Sequence, residues 1–213
     1  MLRDFDILDL LIRLPAVLFA ISIHEFCHGY SAKLLGDRTA EMQGRLTLNP
    51  LKHIDPIGTL MLLVAGFGWA KPVPVNSRYF KHPRRDMVIV SLAGIVGNLL
   101  TAFVFVIIIR IIRIMPISAI EAIGAAGIGF IDTMIIISVI LAAFNILPIP
   151  PLDGSKILYG FIPFQWLKFY YDFERYGSII LLVIVFTNKN TNILDTVLRP
   201  IIRYFLILVG YFS

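Results

Sequence analysis

His24-Glu25-Phe26-Cys27-His28 is a run whose residue types and spacing can hold a metal ion and put it to use. On a helix the two histidines lie four residues apart, so both imidazoles leave one face and can grip a single ion. Glu25, beside them, is placed to take a proton from a water that the ion activates. Zinc accepts imidazole nitrogen and carboxylate oxygen, and a catalytic zinc site keeps three protein ligands and one open position. The third ligand is expected from a second stretch, Asn145-Ile-Leu-Pro148-Ile-Pro150-Pro151-Leu-Asp153-Gly154, in which Asp153 is the carboxylate. Its prolines break a helix and hold an extended segment. Unpaired backbone of that kind is tolerated at membrane depth only where it is buried in protein or lines a wet cavity. Asn145 carries an amide able to donate to a developing oxyanion or to hold a substrate strand.

Both stretches lie in a strongly apolar chain. Its 213 residues are 58% hydrophobic and 15% charged, against about 45–50% and about 25% in soluble domains. Several runs approach the ~20 apolar residues needed to cross a bilayer. The reading is an all-α polytopic membrane protein, with one integral membrane domain over residues 1–213. Three full spans are read at about 10–35, 87–109 and 127–147, and extra C-terminal helical segments fall within 155–213. Arg45 to Leu48 alternates in polarity and predicts a short strand. Ile57 to Trp69 is apolar but too short to span, which predicts a re-entrant or interfacial element. The prolines of Ala70 to Asn76 enforce extended backbone, a strand or an edge loop. Met115 to Gly124 is expected to turn. Near the end, Ser155–Ile162 predicts a short helix and Gln165–Tyr176 an aromatic interfacial one. Ile179–Phe186 and Ile201–Phe212 are short apolar segments expected to pair and cap the bundle.

The net charge of +5 is no nucleic-acid footprint here, because in membrane proteins excess Lys and Arg gather in cytoplasmic loops. Lys33 to Arg85 is rich in them, so that side is expected to be cytoplasmic. The N-terminus, with the acidic leader Asp4, Asp6 and Asp9, then lies outside. The His24–His28 end of the first helix and Asp153 come to the same cytoplasmic depth, which favours one shared site. The single cysteine, Cys27, excludes an intramolecular disulfide and reads as a packing residue. The first apolar run carries the metal motif, so it is read as a retained helix rather than a cleaved signal peptide. Asn98 reads as a hydrogen bond between helices, beside small residues from Ala93 to Gly97 that admit a close neighbour. Asp132 reads as structural or solvated near the outer interface, His53 as loop, and the basic patch Arg78–Arg85 as a headgroup anchor.

These residues resemble the site-2 protease family of intramembrane zinc metalloproteases. His24-Glu-Phe-Cys-His28 is similar to its HExxH motif, and Asn145 to Gly154 to its NxxPxPPLDG motif. Gly44 to Gly58, Ala70 to Asn76, Arg84-Arg-Asp86 and Glu174-Arg-Tyr-Gly177 resemble a compact bacterial and archaeal branch without PDZ or CBS modules. Two positions depart from it: Ile95 stands where proline is frequent, and Cys27 where a smaller residue is common. The resemblance implies that the three spans form a three-helix catalytic core with one Zn2+ per chain held by His24, His28 and Asp153, in a prokaryotic cytoplasmic membrane. It implies a transmembrane segment of another membrane protein as the substrate, unwound locally and paired as a strand. Lys71, Pro72, Val73, Pro74, Val75 and Asn76 are the candidate edge for that pairing. The expected partners are that substrate and the lipid bilayer, with no nucleic acid. Two other classes use the same residues: a metal-ion transporter or permease, and an inactive protease-like membrane binding protein. Glu25 argues against the first, since a transporter has no need of a general base, and the intact set His24, Glu25, His28 and Asp153 argues against the second.

Overall fold

The computed structural model describes residues 7–65 and 68–212, and every regular element among them is helical. The first, α1, runs from Ile7 to Leu34 and contains Pro15 without being ended by it. It stops where the backbone turns into a conformation that only glycine adopts freely, Gly36 at φ +106°. The Asp37 amide then closes back on the Ala32 carbonyl at 2.9 Å, a Schellman-type end. A single helical turn, α2 (Thr39–Met42), follows, and then a short helix α3 (Pro56–Ala65). Its 10 residues extend about 15 Å, half of the about 30 Å hydrocarbon core. The helical part of the stretch expected to be re-entrant or interfacial is therefore too short to span. Residues 66 and 67 of that stretch, like Asp4 and Asp6 of the leader, lie outside the described residues.

The two long helices are α4 (Pro83–Arg113) and α5 (Ile117–Asn145). They are followed by α6 (Asp153–Phe161), α7 (Leu167–Thr191) and α8 (Ile193–Leu208). Three described helices, α1 from Leu11 onward, α4 and α5, are long and apolar enough to cross a membrane. The pair that includes α7 and α8 qualifies only when taken together, bent by 94° about Asn192 at φ 53°. The fold is thus an all-α polytopic membrane protein, as its composition requires.

Several expected boundaries change. No strand forms at Arg45–Leu48. Arg45 turns its guanidinium inward onto the carbonyls of Lys71 and Pro72, and Thr47 and Asn49 satisfy local amides in turns. Ala70–Asn76 is extended but unpaired with any strand, so the predicted strand element is absent among the described residues. The turn expected at Met115–Gly124 is mostly helical: a helical segment starts at Ile117, and a kink at Gly124 (φ 69°, ψ 169°) divides it from the helix that runs on to Asn145. The separate segments predicted at Gln165–Tyr176 and Ile179–Phe186 are one helix. Gly177 does not break it, because that position faces Pro150, and an added Cβ there would meet the proline oxygen at 2.8 Å.

α4 is the central element, packed against α1, α5 and α6. Val106, Ile109 and Ile112 of α4, Ile131, Ile135 and Val139 of α5, and Leu198 and Phe205 of α8 form one buried cluster. α1 reaches α5 through Ala16 and Ala20, fully buried beside Met134. Small residues at such contacts let helix backbones approach where lipid tails offer no hydrophobic drive. The chemistry-bearing half of α1 is held by α4, whose glycines face it.

Candidate metal centre

His24 and His28 lie one above the other on α1, 6% and 7% exposed, with their rings edge to face at 4.4 Å. Asp153 opens α6 and is 4% exposed. It is delivered by the turn Leu147–Leu152, closed by the Ile149 amide on the Leu147 carbonyl and the Leu152 amide on the Ile149 carbonyl. Gly154 makes this possible, because the space of a Cβ there is filled by the backbone of Ile146 and Leu147. Gly94 does the same from α4: an added Cβ would stand 2.5 Å from His28 Nε2 and 2.7 Å from His24 Cε1. The two imidazoles thus fill the hollow that Gly94 leaves.

The three candidate ligand atoms form a nearly equilateral triangle. His24 Nε2 and His28 Nε2 are 2.9 Å apart, and each lies 3.0 Å from Asp153 Oδ2. The His28 Nδ1–H donates to the Val90 carbonyl at 2.7 Å, so in the neutral ring Nε2 presents a lone pair. That lone pair faces a carboxylate oxygen that receives no well-aligned hydrogen bond although it is buried. Acceptors turned on one another in a buried space repel unless a cation joins them. The donor set fits a metal ion, and among the described residues this is the group of His, Cys, Asp and Glu able to hold one.

A pocket of about 270 Å3 opens over the triangle, lined also by Glu25, Asn145 and Lys156. Lys156 Nζ stands 3.4 Å from Asp153 Oδ1, the oxygen turned away from the histidines. Asn145 ends α5 and spends one amide hydrogen on the Leu141 carbonyl at 3.0 Å, which leaves the other for the pocket. Of the predicted edge residues, Pro72, Val73 and Val75 line this pocket, and Lys71, Pro74 and Asn76 do not. The segment is tied down along its length. The Lys71 amide donates to the His53 carbonyl at 2.9 Å, and Arg45 Nη2 donates to the Lys71 and Pro72 carbonyls at 2.8 and 3.2 Å. The Val73 amide donates to Glu25 Oε2 at 2.7 Å, and the Asn76 amide to Asp37 Oδ2 at 2.6 Å. No hydrogen-bond partner among the described residues occupies the Val73 carbonyl or the Val75 amide and carbonyl.

The plainer residues also find their places. Cys27 packs against Gly97 of α4, away from the ligand atoms. His53 is in a loop but 2% exposed, with Nε2 on the Thr47 carbonyl at 2.9 Å. Asp132 is half-buried on α5. Arg84 of the basic patch is no headgroup anchor: it donates to the Tyr159 and Ile162 carbonyls and caps the end of α6. Asn98 makes the hydrogen bond between helices that the sequence suggests, and its partner is a candidate ligand. It is fully buried, and its amide lies 3.3 Å from His24 Nδ1 across 74 residues of chain. Its one advance signal is a polar side chain inside an apolar span, one helical turn after Gly94.

Fold and site together define a class, a polytopic membrane protein with a buried His–His–carboxylate group able to hold a metal ion. The model of the family described as Peptidase family M50 matches residues 109–187, which include Asn145 and Asp153. YwhC of Bacillus subtilis, provisionally named a zinc metalloprotease, is 41% identical over 178 residues, 84% of this chain and 81% of that protein. Rip2 of Mycolicibacterium smegmatis, named in the same terms, is 30% identical over 175 residues, 80% of this chain and 64% of that protein. Rip2 of Mycobacterium tuberculosis is 30% identical over 173 residues, 78% of this chain and 63% of its own length. The chain therefore spans most of YwhC and somewhat under two thirds of the mycobacterial proteins. No solved structure matches it. The chain belongs to peptidase family M50, the site-2 proteases.

Proposed function

We propose that this protein is an intramembrane zinc endopeptidase that hydrolyses peptide bonds within transmembrane segments of other membrane proteins. One observation carries the reading: three buried ligand atoms within 3.0 Å of one another, with Glu25 lining the same pocket. His24, His28 and Asp153 would hold the zinc, and the donor set and the names of the relatives support that metal. When bound, zinc polarises the scissile carbonyl and acidifies a water. Glu25 takes the proton as the carbon–oxygen bond forms and passes it to the amide nitrogen as the carbon–nitrogen bond breaks. The second amide hydrogen of Asn145 is available to the developing oxyanion. A substrate unwound to extended form finds the open Val73 carbonyl and the Val75 amide and carbonyl as a strand edge. Arg45 and Asp37, holding other backbone groups of that segment, keep the edge in place.

A second, mainly apolar cavity of about 350 Å3 lies between α1, α3 and α5. Its wall includes Ile21 and Leu141, one helical turn below Glu25 and Asn145 on the same faces. It is suited to apolar side chains of a membrane segment. The basic stretch before α4 supports a cytoplasmic-side site in a prokaryotic cytoplasmic membrane. The test is cleavage, in vesicles, of a single-span reporter carrying glycine and asparagine near its cytoplasmic end. Wild type is expected to cut within the apolar segment, as read by mass spectrometry, and Glu25→Gln to be slower by about 10²–10⁴-fold. Cleavage outside the span, or at an unchanged rate in Glu25→Gln, would overturn the reading.

A further inference from the structure

Resting on that reading of the metal centre, we infer that Asn98 is a positioning residue that sets the tautomer of His24 and thereby makes it a ligand. The two histidines face the triangle through Nε2, so each must carry its proton on Nδ1 to offer a lone pair there. His28 has a fixed acceptor for that proton, the Val90 carbonyl at 2.7 Å. His24 has none from the backbone. What it has is Asn98, fully buried on α4, 3.3 Å from Nδ1.

An amide presents either a donor or an acceptor to the same neighbour, depending on a half-turn of its terminal group. With Nδ2 toward His24, Asn98 donates to Nδ1, and His24 carries its proton on Nε2, 2.9 Å from His28 Nε2, which accepts it. This arrangement closes a hydrogen bond between the histidines without metal, and it leaves Asn98 Oδ1 and Asp153 Oδ2 buried with no partner. With the amide turned, Oδ1 accepts the Nδ1 proton and His24 Nε2 is free to coordinate. The unsatisfied acceptor beside His24 is the group the loaded state needs. Asn98 therefore serves both states, where a hydrocarbon serves neither and a carboxylate serves only the loaded one. Losing an outer partner of a ligating histidine costs about 10–100-fold in metal affinity.

The test is zinc affinity of the full-length protein in detergent, by competition with a chromophoric chelator, for wild type, Asn98→Leu and Asn98→Asp. Cobalt substitution adds the visible absorption of the site. Asn98→Leu is expected to bind zinc about 10–100-fold more weakly at unchanged helix content. Asn98→Asp, an acceptor only, is expected to bind at least as tightly as wild type, with a wild-type cobalt spectrum. Rescue by aspartate is a result that mere filling of space does not produce. Equal affinity in Asn98→Leu, or loss in Asn98→Asp matching that in Asn98→Leu, would overturn the assignment. A wild type that holds no zinc would instead fail the metal-centre reading itself.

Discussion

At Gly94 the imidazoles of α1 and the backbone of α4 share a space with no room for one more carbon. A Cβ there stands 2.5 Å from His28, so Gly94→Ala must push the ligand rings aside. Overpacking of this kind costs about 1–3 kcal/mol. Here it falls on the triangle, and zinc affinity is expected to drop about 10-fold or more, since each 1.4 kcal/mol is tenfold. Wild-type zinc affinity in Gly94→Ala would mean the rings have slack that the distances deny. Arg45 acts on the other wall. Its hydrogen bonds to the Lys71 and Pro72 carbonyls are charge-assisted, a type that contributes about 1.5–3 kcal/mol each. Arg45→Met is expected to raise KM for the membrane reporter about 10-fold, with kcat and zinc content close to wild type. A fall in kcat at constant KM would show that the segment serves the chemistry and not the binding.

At the scale of elements, the site is where long-range partners meet. Gly177 on α7 lies against Pro150 in the turn that delivers Asp153. Gly177→Val is expected to destabilise the protein by about 1–3 kcal/mol, read as a lower thermal midpoint in detergent, and an unchanged midpoint would contradict that contact. Much of this level was legible in the residues. Apolar length located α1, α4 and α5, and the proline run located the turn before Asp153. The His24–His28 spacing and the carboxylate of Asp153 predicted a triangle that the fold brings together. What was not legible depended on contacts remote in sequence. The alternation at Arg45–Leu48 is strand-like locally, but Arg45 bonds to carbonyls 26 and 27 residues away, and no strand lies beside it to pair with. Gly124 does mark a break, the kink in α5, but the residues before it from Ile117 are helical where a turn was expected. Asn98 gave no local sign of its partner, because His24 stands 74 residues earlier.

For the molecule as a whole, the basic segment before α4 and the length of α4 bear on orientation. The 31 residues of α4 extend about 46 Å, enough to cross the hydrocarbon core. In a Cys27→Ser background, Lys81→Cys is expected to react with an impermeant maleimide from the cytoplasmic side only, and Met115→Cys from the opposite side only. Labelling of both from one face would contradict the crossing. Residues from two distant stretches, on α1 and α6, are proposed to hold one metal ion in the membrane. The most direct measurement is zinc per chain in detergent-purified wild type, Asp153→Ala and Glu25→Gln. Near-stoichiometric zinc is expected in wild type and Glu25→Gln, and its loss in Asp153→Ala. Zinc held as firmly by Asp153→Ala as by wild type, or absent from wild type, would contradict it.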